Sequence, residues 1–102
     1  MLFHVKHVHT FDSCPAKHGP DMVAKTFGTV GRPEHAKEAG VNVLGMYINA
    51  PAHTAYFILE ADSAEKIGKF LFPIMMIGTA DITPVTHLVE EVKRKLKESK
   101  KI

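Results

Sequence analysis

The chain has 102 residues, 45% of them hydrophobic and 24% charged, with a formal charge of +2; these are the proportions of one globular domain, too short for two. No apolar run reaches the roughly 18–20 residues of a membrane span, and the first residues lack a signal-peptide layout because Lys6, His4, His7 and His9 fall where the apolar stretch would lie. The single cysteine cannot form an internal disulfide, and the small positive charge does not imply nucleic acid, so the reading is one cytoplasmic domain over 1–102 with neither a nucleic acid nor a membrane as partner. Histidine is the unusual component: protonating all seven raises the formal charge from +2 to +9, so surface charge should vary strongly near pH 6.

Residues 2–10, LFHVKHVHT, alternate imperfectly and are rich in Val and Phe, which predicts a strand. Phe3, Val5, His7 and His9 fall on one face; Leu2, His4, Lys6 and Val8 fall on the other. DSCPAKHGP (12–20) is turn chemistry. Pro20 suits a first helical position, and Met22, Val23, Phe27 and Val30 follow at helical spacing. GRP (31–33) breaks that helix, a short second piece covers about 33–39, and Gly40 is its expected C-terminal cap. VNVLGMYINA (41–50) and TAYFILEA (54–61) are two strands of a hairpin joined through PAH.

Asp62 and Glu65 have capping-box spacing before a helix whose buried stripe is Ile67, Phe70, Leu71 and Ile74, with Pro73 limiting its length. IGTADITPV (77–85) is a last strand, and Pro84 places it at an edge or at a strand end. Residues 86–99 form an amphipathic helix with Val89, Val92 and Leu96 on one side. Its Lys and Arg residues, together with Lys100 and Lys101, interleave with Glu90, Glu91 and Glu98 and read as a solvated face.

The order is β-α-β-β-α-β plus a terminal helix, an α+β, ferredoxin-like arrangement. Two helices cover one face of such a sheet. The other is bare, yet Leu2 and Val8, or Leu44 and Ile48, give it apolar character, and a second copy of the chain is the simplest cover. MLFHV, GVNVLGMYI, AYFILEADSAEKI and IGTADITPV resemble segments of a group of small uncharacterised bacterial and archaeal proteins in the dimeric α+β barrel superfamily. The likeness covers the first strand and most of 40–85 and is weak over 12–39. It implies a homodimer, or a higher homo-oligomer, in which two sheets pack face to face. It carries no activity, because the wider superfamily spans haem-binding and haem-degrading proteins, cofactor-free monooxygenases, isomerases and ligand-binding regulators.

HVKHVHTFDSCPAKHG (4–19) gathers four histidines and the cysteine. His7 and His9 are two apart on one strand face, their Cα atoms roughly 6.5–7 Å apart, and two imidazoles at that separation can reach one metal ion. Cys14 and His18 follow within a turn, and Asp12, His53 or a water can complete the set. Such N/S donors suit zinc, copper or iron, and haem is a further candidate. The expected metal ligands are therefore His7, His9, Cys14 and His18, with His53 and Tyr47 as cofactor-binding residues; Tyr47 is placed on a face with Val43 and Gly45, over the space Gly45 leaves. His4 reads as structural or exposed, and His35 as solvated.

The same residues leave other chemistries open. A metal-free barrel can bind an apolar small molecule between its sheets in the manner of the cofactor-free monooxygenases. CPAKHG also resembles the Cys-Pro motif of small sulfur-relay proteins, with Lys17 and His18 as cations favouring a thiolate. Whether the protein is an enzyme is left open.

Overall fold

The computed structural model describes residues 1–99; Lys100 and Lys101, assigned above to the run of charge at the last helix, lie outside the described residues. The architecture is α+β: an open four-stranded antiparallel sheet with helices. The strands are β1 (Leu2–His9), β2 (Asn42–Asn49), β3 (Thr54–Glu60) and β4 (Gly78–Val85), in the order β2-β3-β1-β4. The helices are α1 (Pro20–Val23), α2 (Pro33–Ala39), α3 (Ala64–Met75) and α4 (Leu88–Glu98).

β1 is central and pairs with both β3 and β4, so its alternation sets the two faces of the sheet. Phe3, Val5, His7 and His9 are all buried on the helix side, across from Leu59, Phe57 and Ala55 of β3 and from Ile82 and Ala80 of β4. α3 supplies the opposing layer, Ile67, Phe70, Leu71 and Ile74, all fully buried; each such side chain contributes roughly 1.5–3 kcal/mol by leaving water.

The start of α3 differs from the capping box expected of Asp62 and Glu65. Ser63 is the N-cap, and its hydroxyl accepts the Lys66 backbone N–H at 3.3 Å. Pro73 does not end the helix at once, because α3 runs on to Met75. The first helix is also irregular: after α1 the chain winds through a π-helical turn, Ala24–Gly28, which places Phe27 against the imidazoles of β1. Gly40, at φ 75°, is the left-handed cap of α2, and Pro84 lies on the edge strand β4.

One difference changes the face assignments in β2. The β2–β3 register shifts between Val43 and Gly45, which makes Leu44 an extra residue. Val43 pairs with Leu59, but beyond the bulge Met46 pairs with Phe57 and Ile48 with Ala55 on the helix side, while Tyr47 pairs with Tyr56 on the opposite face. A strict two-residue alternation puts Val43, Gly45 and Tyr47 together; the bulge separates Val43 from the other two.

α4 buries none of its side chains. Leu88, Val89, Val92 and Leu96 form an exposed stripe, while Arg94 bridges Glu91 and Glu98 on the same helix. The described residues extend over 58 × 29 × 17 Å. No helix among them is long and apolar enough to cross a membrane.

Gly78 is the tightest backbone approach. A Cβ there would lie 2.3 Å from the Val8 carbonyl oxygen and 2.9 Å from Cε1 of His7. Gly78→Ala is therefore expected to destabilise the fold by about 1–3 kcal/mol through overpacking, read as a lower urea midpoint; a midpoint within error of the parent would contradict the close seat of His7 on β4.

Candidate metal centre

The end of β1, the turn after it and the β2–β3 hairpin meet at one end of the sheet. The backbone N–H of His9 donates to the carbonyl of His53 at 3.0 Å, which ties the end of β1 to the hairpin. The hairpin loop is a short 3-10 turn, Ala50–Ala52, closed by His53 in the left-handed region at φ 50°, the only positive-φ residue other than glycine among the described residues. That conformation costs roughly 1 kcal/mol or more for a residue with a Cβ, and it turns the imidazole toward His9, with His53 Nδ1 3.2 Å from His9 Nε2.

Cys14 is placed by a locked turn. The Thr10 N–H donates to the Ser13 hydroxyl at 3.0 Å and the Ser13 N–H to the Thr10 hydroxyl at 3.2 Å. The Ser13 hydroxyl in turn donates to the Ile77 carbonyl at 2.8 Å, pinning the turn to the segment before β4. Cys14 follows, its N–H bonded to the Phe11 carbonyl, and buried Pro15 begins a 3-10 turn.

His9, Cys14 and His53 thereby come together, one ligand atom from each lying within 4.8 Å of the other two. His9 is 5% exposed, and Cys14 and His53 are half-buried. Phe27 packs on the His9 ring at 5.7 Å, and Phe11 meets His53 edge-on at 6.1 Å.

The other expected site residues stand elsewhere. His7 is fully buried, its Nε2 2.7 Å from the carbonyl oxygen of Ile74 at the end of α3. A carbonyl only accepts, so Nε2 carries the proton and Nδ1 presents a lone pair. His18 is exposed and bonds the Asp12 carbonyl through Nε2 at 2.8 Å, and the Asp12 carboxylate holds Lys17 at 3.0 Å. Lys17 and His18, the cations expected beside the thiol, are thus both engaged by Asp12. Tyr47 is 65% exposed, its ring lying over Gly45, where a Cβ would be 2.7 Å from Cε2. His35, expected to be solvated, is half-buried with Nε2 2.6 Å from the Phe70 carbonyl.

The sequence pattern placed Phe27 only in a helical stripe and did not single out Phe11 or the Thr10–Ser13 turn. Of these, the Thr-x-x-Ser spacing in TFDS is a readable sign of such a turn. The π-turn that delivers Phe27 has no comparable mark.

Two buried imidazole nitrogens, Nδ1 of His7 and Nδ1 of His9, have no hydrogen-bond partner among the described residues. Burial holds both imidazoles below the ordinary histidine range. In His7 the hydrogen bond to Ile74 partly opposes this; in His9 the nearby positive charges of His53 and His7 add to it.

A family model described as a domain of unknown function (DUF3303) matches residues 1–99, and the chain belongs to that family. No curated protein matches the chain.

Because the folded state holds His7 and His9 below their unfolded pKa of about 6.5, the unfolded chain binds more protons once the pH drops below that value. Stability of the metal-free protein should then be level above about pH 7 and fall as the pH is lowered from 6.5 toward the folded pKa values, by up to about 1.4 kcal/mol per pH unit for each group. Urea midpoints measured from pH 8 to 5 in a chelator test this; a midpoint that rises on acidification would contradict it.

Proposed function

We propose that this chain is a metal-binding protein in which His9, Cys14 and His53 hold one transition-metal ion, in a homodimer of ferredoxin-like subunits. The observation that carries the metal reading is the convergence of two imidazoles and a thiol from three separate segments, within 4.8 Å of one another. The left-handed backbone of His53 adds to it, since strain of this kind at a residue aimed into a donor cluster is characteristic of a site held for its chemistry.

Two nitrogens and one thiolate sulfur suit zinc, copper or iron. Three protein donors also leave one position of a four-coordinate ion for water or a small ligand. A shallow apolar groove of about 220 Å³ is lined by Phe27, Val30, Met46, Ile48 and Phe57 among others, and Phe27 also packs on His9. The groove supports a small apolar molecule as the partner of that position.

The dimer reading rests on the apolar residues of the sheet face turned away from the core. The strand order β2-β3-β1-β4, with β1 and β3 central, supports the ferredoxin-like reading, and Leu2, Val8, Tyr47, Tyr56 and Ile58 lie on the sheet face opposite the buried Phe3, Val5 and Leu59. A second sheet packed face to face covers this surface. Sedimentation as a single chain at micromolar concentration would defeat the dimer and leave the metal reading untouched.

Protein purified without a histidine tag should contain close to one metal ion per chain, and its cobalt derivative should show a thiolate charge-transfer band. Cys14→Ser should abolish that band, and Cys14→Ser, His9→Ala and His53→Asn should each lower affinity by more than roughly 100-fold, beyond what an outer partner costs. His53→Asn should leave the metal-free fold as stable or slightly more so, because Asn tolerates the left-handed region better. Metal-free parent protein that takes up none of zinc, cobalt, copper or iron would sink the reading, and a Soret band would redirect it to haem.

A further inference from the structure

We infer that His7 is not a ligand but the positioning residue of this metal site: its Nδ1 lone pair receives the Nδ1–H of His9 through one bridging water and so fixes His9 in the tautomer that binds metal. The inference rests on the metal reading above and adds to it a residue and a role.

His7 Nε2 lies 2.7 Å from the Ile74 carbonyl oxygen, which can only accept, so Nδ1 of His7 is an acceptor. His9 Nε2 faces His53 Nδ1 at 3.2 Å and is the nitrogen on the cluster side of the ring. A metal on Nε2 requires that nitrogen to be unprotonated, which leaves the proton of neutral His9 on Nδ1 as a donor. The two nitrogens without a partner are these same atoms, one acceptor and one donor. They belong to neighbouring rings on one face of β1, 6.2 Å apart between centroids and tilted by 37°, with Phe27 packed on both.

A buried acceptor and a buried donor of matching sense on neighbouring rings, not hydrogen-bonded to each other, are a pair that one ordered water can satisfy. Metal-ligating histidines characteristically give their second N–H to an acceptor, which sets tautomer and ring orientation. The relay then runs from the Ile74 carbonyl, through His7 and the water, to His9 and the metal. It anchors the site to the C-terminal end of α3.

Two substitutions separate this role from simple packing. His7→Gln can keep an N–H near the Ile74 carbonyl but places no acceptor where Nδ1 was. His7→Asn can keep an acceptor near that position and loses the reach to Ile74. With zinc affinity read by chelator competition and fold stability by urea midpoint, His7→Gln should bind zinc roughly 10- to 100-fold more weakly with a midpoint near the parent. His7→Asn should show the reverse, a lowered midpoint with affinity closer to the parent. Long-range proton–nitrogen NMR of the zinc-loaded parent should show His7 protonated on Nε2 and His9 on Nδ1.

Parent-like zinc affinity in folded His7→Gln, or a zinc-bound His7 nitrogen in the spectrum, overturns the inference while the metal reading stands. If His7→Gln does not fold, the His7→Asn affinity and the tautomers decide it: an affinity lost as completely as in His9→Ala, or His9 protonated on Nε2, overturns it. A parent protein that takes up none of zinc, cobalt, copper or iron overturns the metal reading, and this role with it.

Discussion

The desolvation of imidazole on the helix-facing side of β1 is the constraint from which the rest of the site follows. A strand that places Phe3, Val5, His7 and His9 on one buried face has committed two titratable rings to an environment hostile to charge. His7 meets this by donating to the end of α3, and His9 by facing another imidazole across the hairpin. Gly78 has no room for a side chain because the Val8 carbonyl and the His7 ring both lie against it, and the π-turn in the first helix brings Phe27 over both rings. Helix, hairpin and edge strand are thus all organised around polar atoms in an apolar layer.

This arrangement bears on how a metal would interact with the fold. Phe3, Phe57, Phe70, Leu59, Ile67 and Leu71 belong to an apolar core, and Phe27 packs both against that core and on the His9 ring. The site lies at the rim of that core, where one ligand is buried and two have access to solvent.

Much of the architecture is legible in the sequence because it is carried by periodicity. The strand at 2–10, the hairpin strands, the α3 stripe and the edge position of Pro84 all follow from spacing and turn chemistry. What escaped is local and has no periodic signature. The bulge at Leu44 inserts one residue and re-aims every side chain after it in β2, a change that no alternation rule can register from within a single strand. The site was legible in its chemistry but less so in its membership. His-x-His on a strand correctly places two rings on one face, yet whether both reach the same point depends on the partner each ring finds, here a carbonyl at the end of α3, sixty-seven residues away. His53 was readable as a turn histidine able to complete the set; its left-handed backbone is a tertiary result.

The separation of His9 and His53, forty-four residues along the chain, has a kinetic consequence. An ion bound across them is a clasp on a long loop, and its donors assemble only after β1 has found β3, a non-local pairing of the kind that folds slowly. Such a clasp cannot help the chain find its fold, because the pocket does not exist until the sheet does. It acts instead on the reverse step, holding the hairpin against β1 when the sheet begins to part. Loading would therefore lengthen the lifetime of the native state far more than it shortens the time taken to reach it.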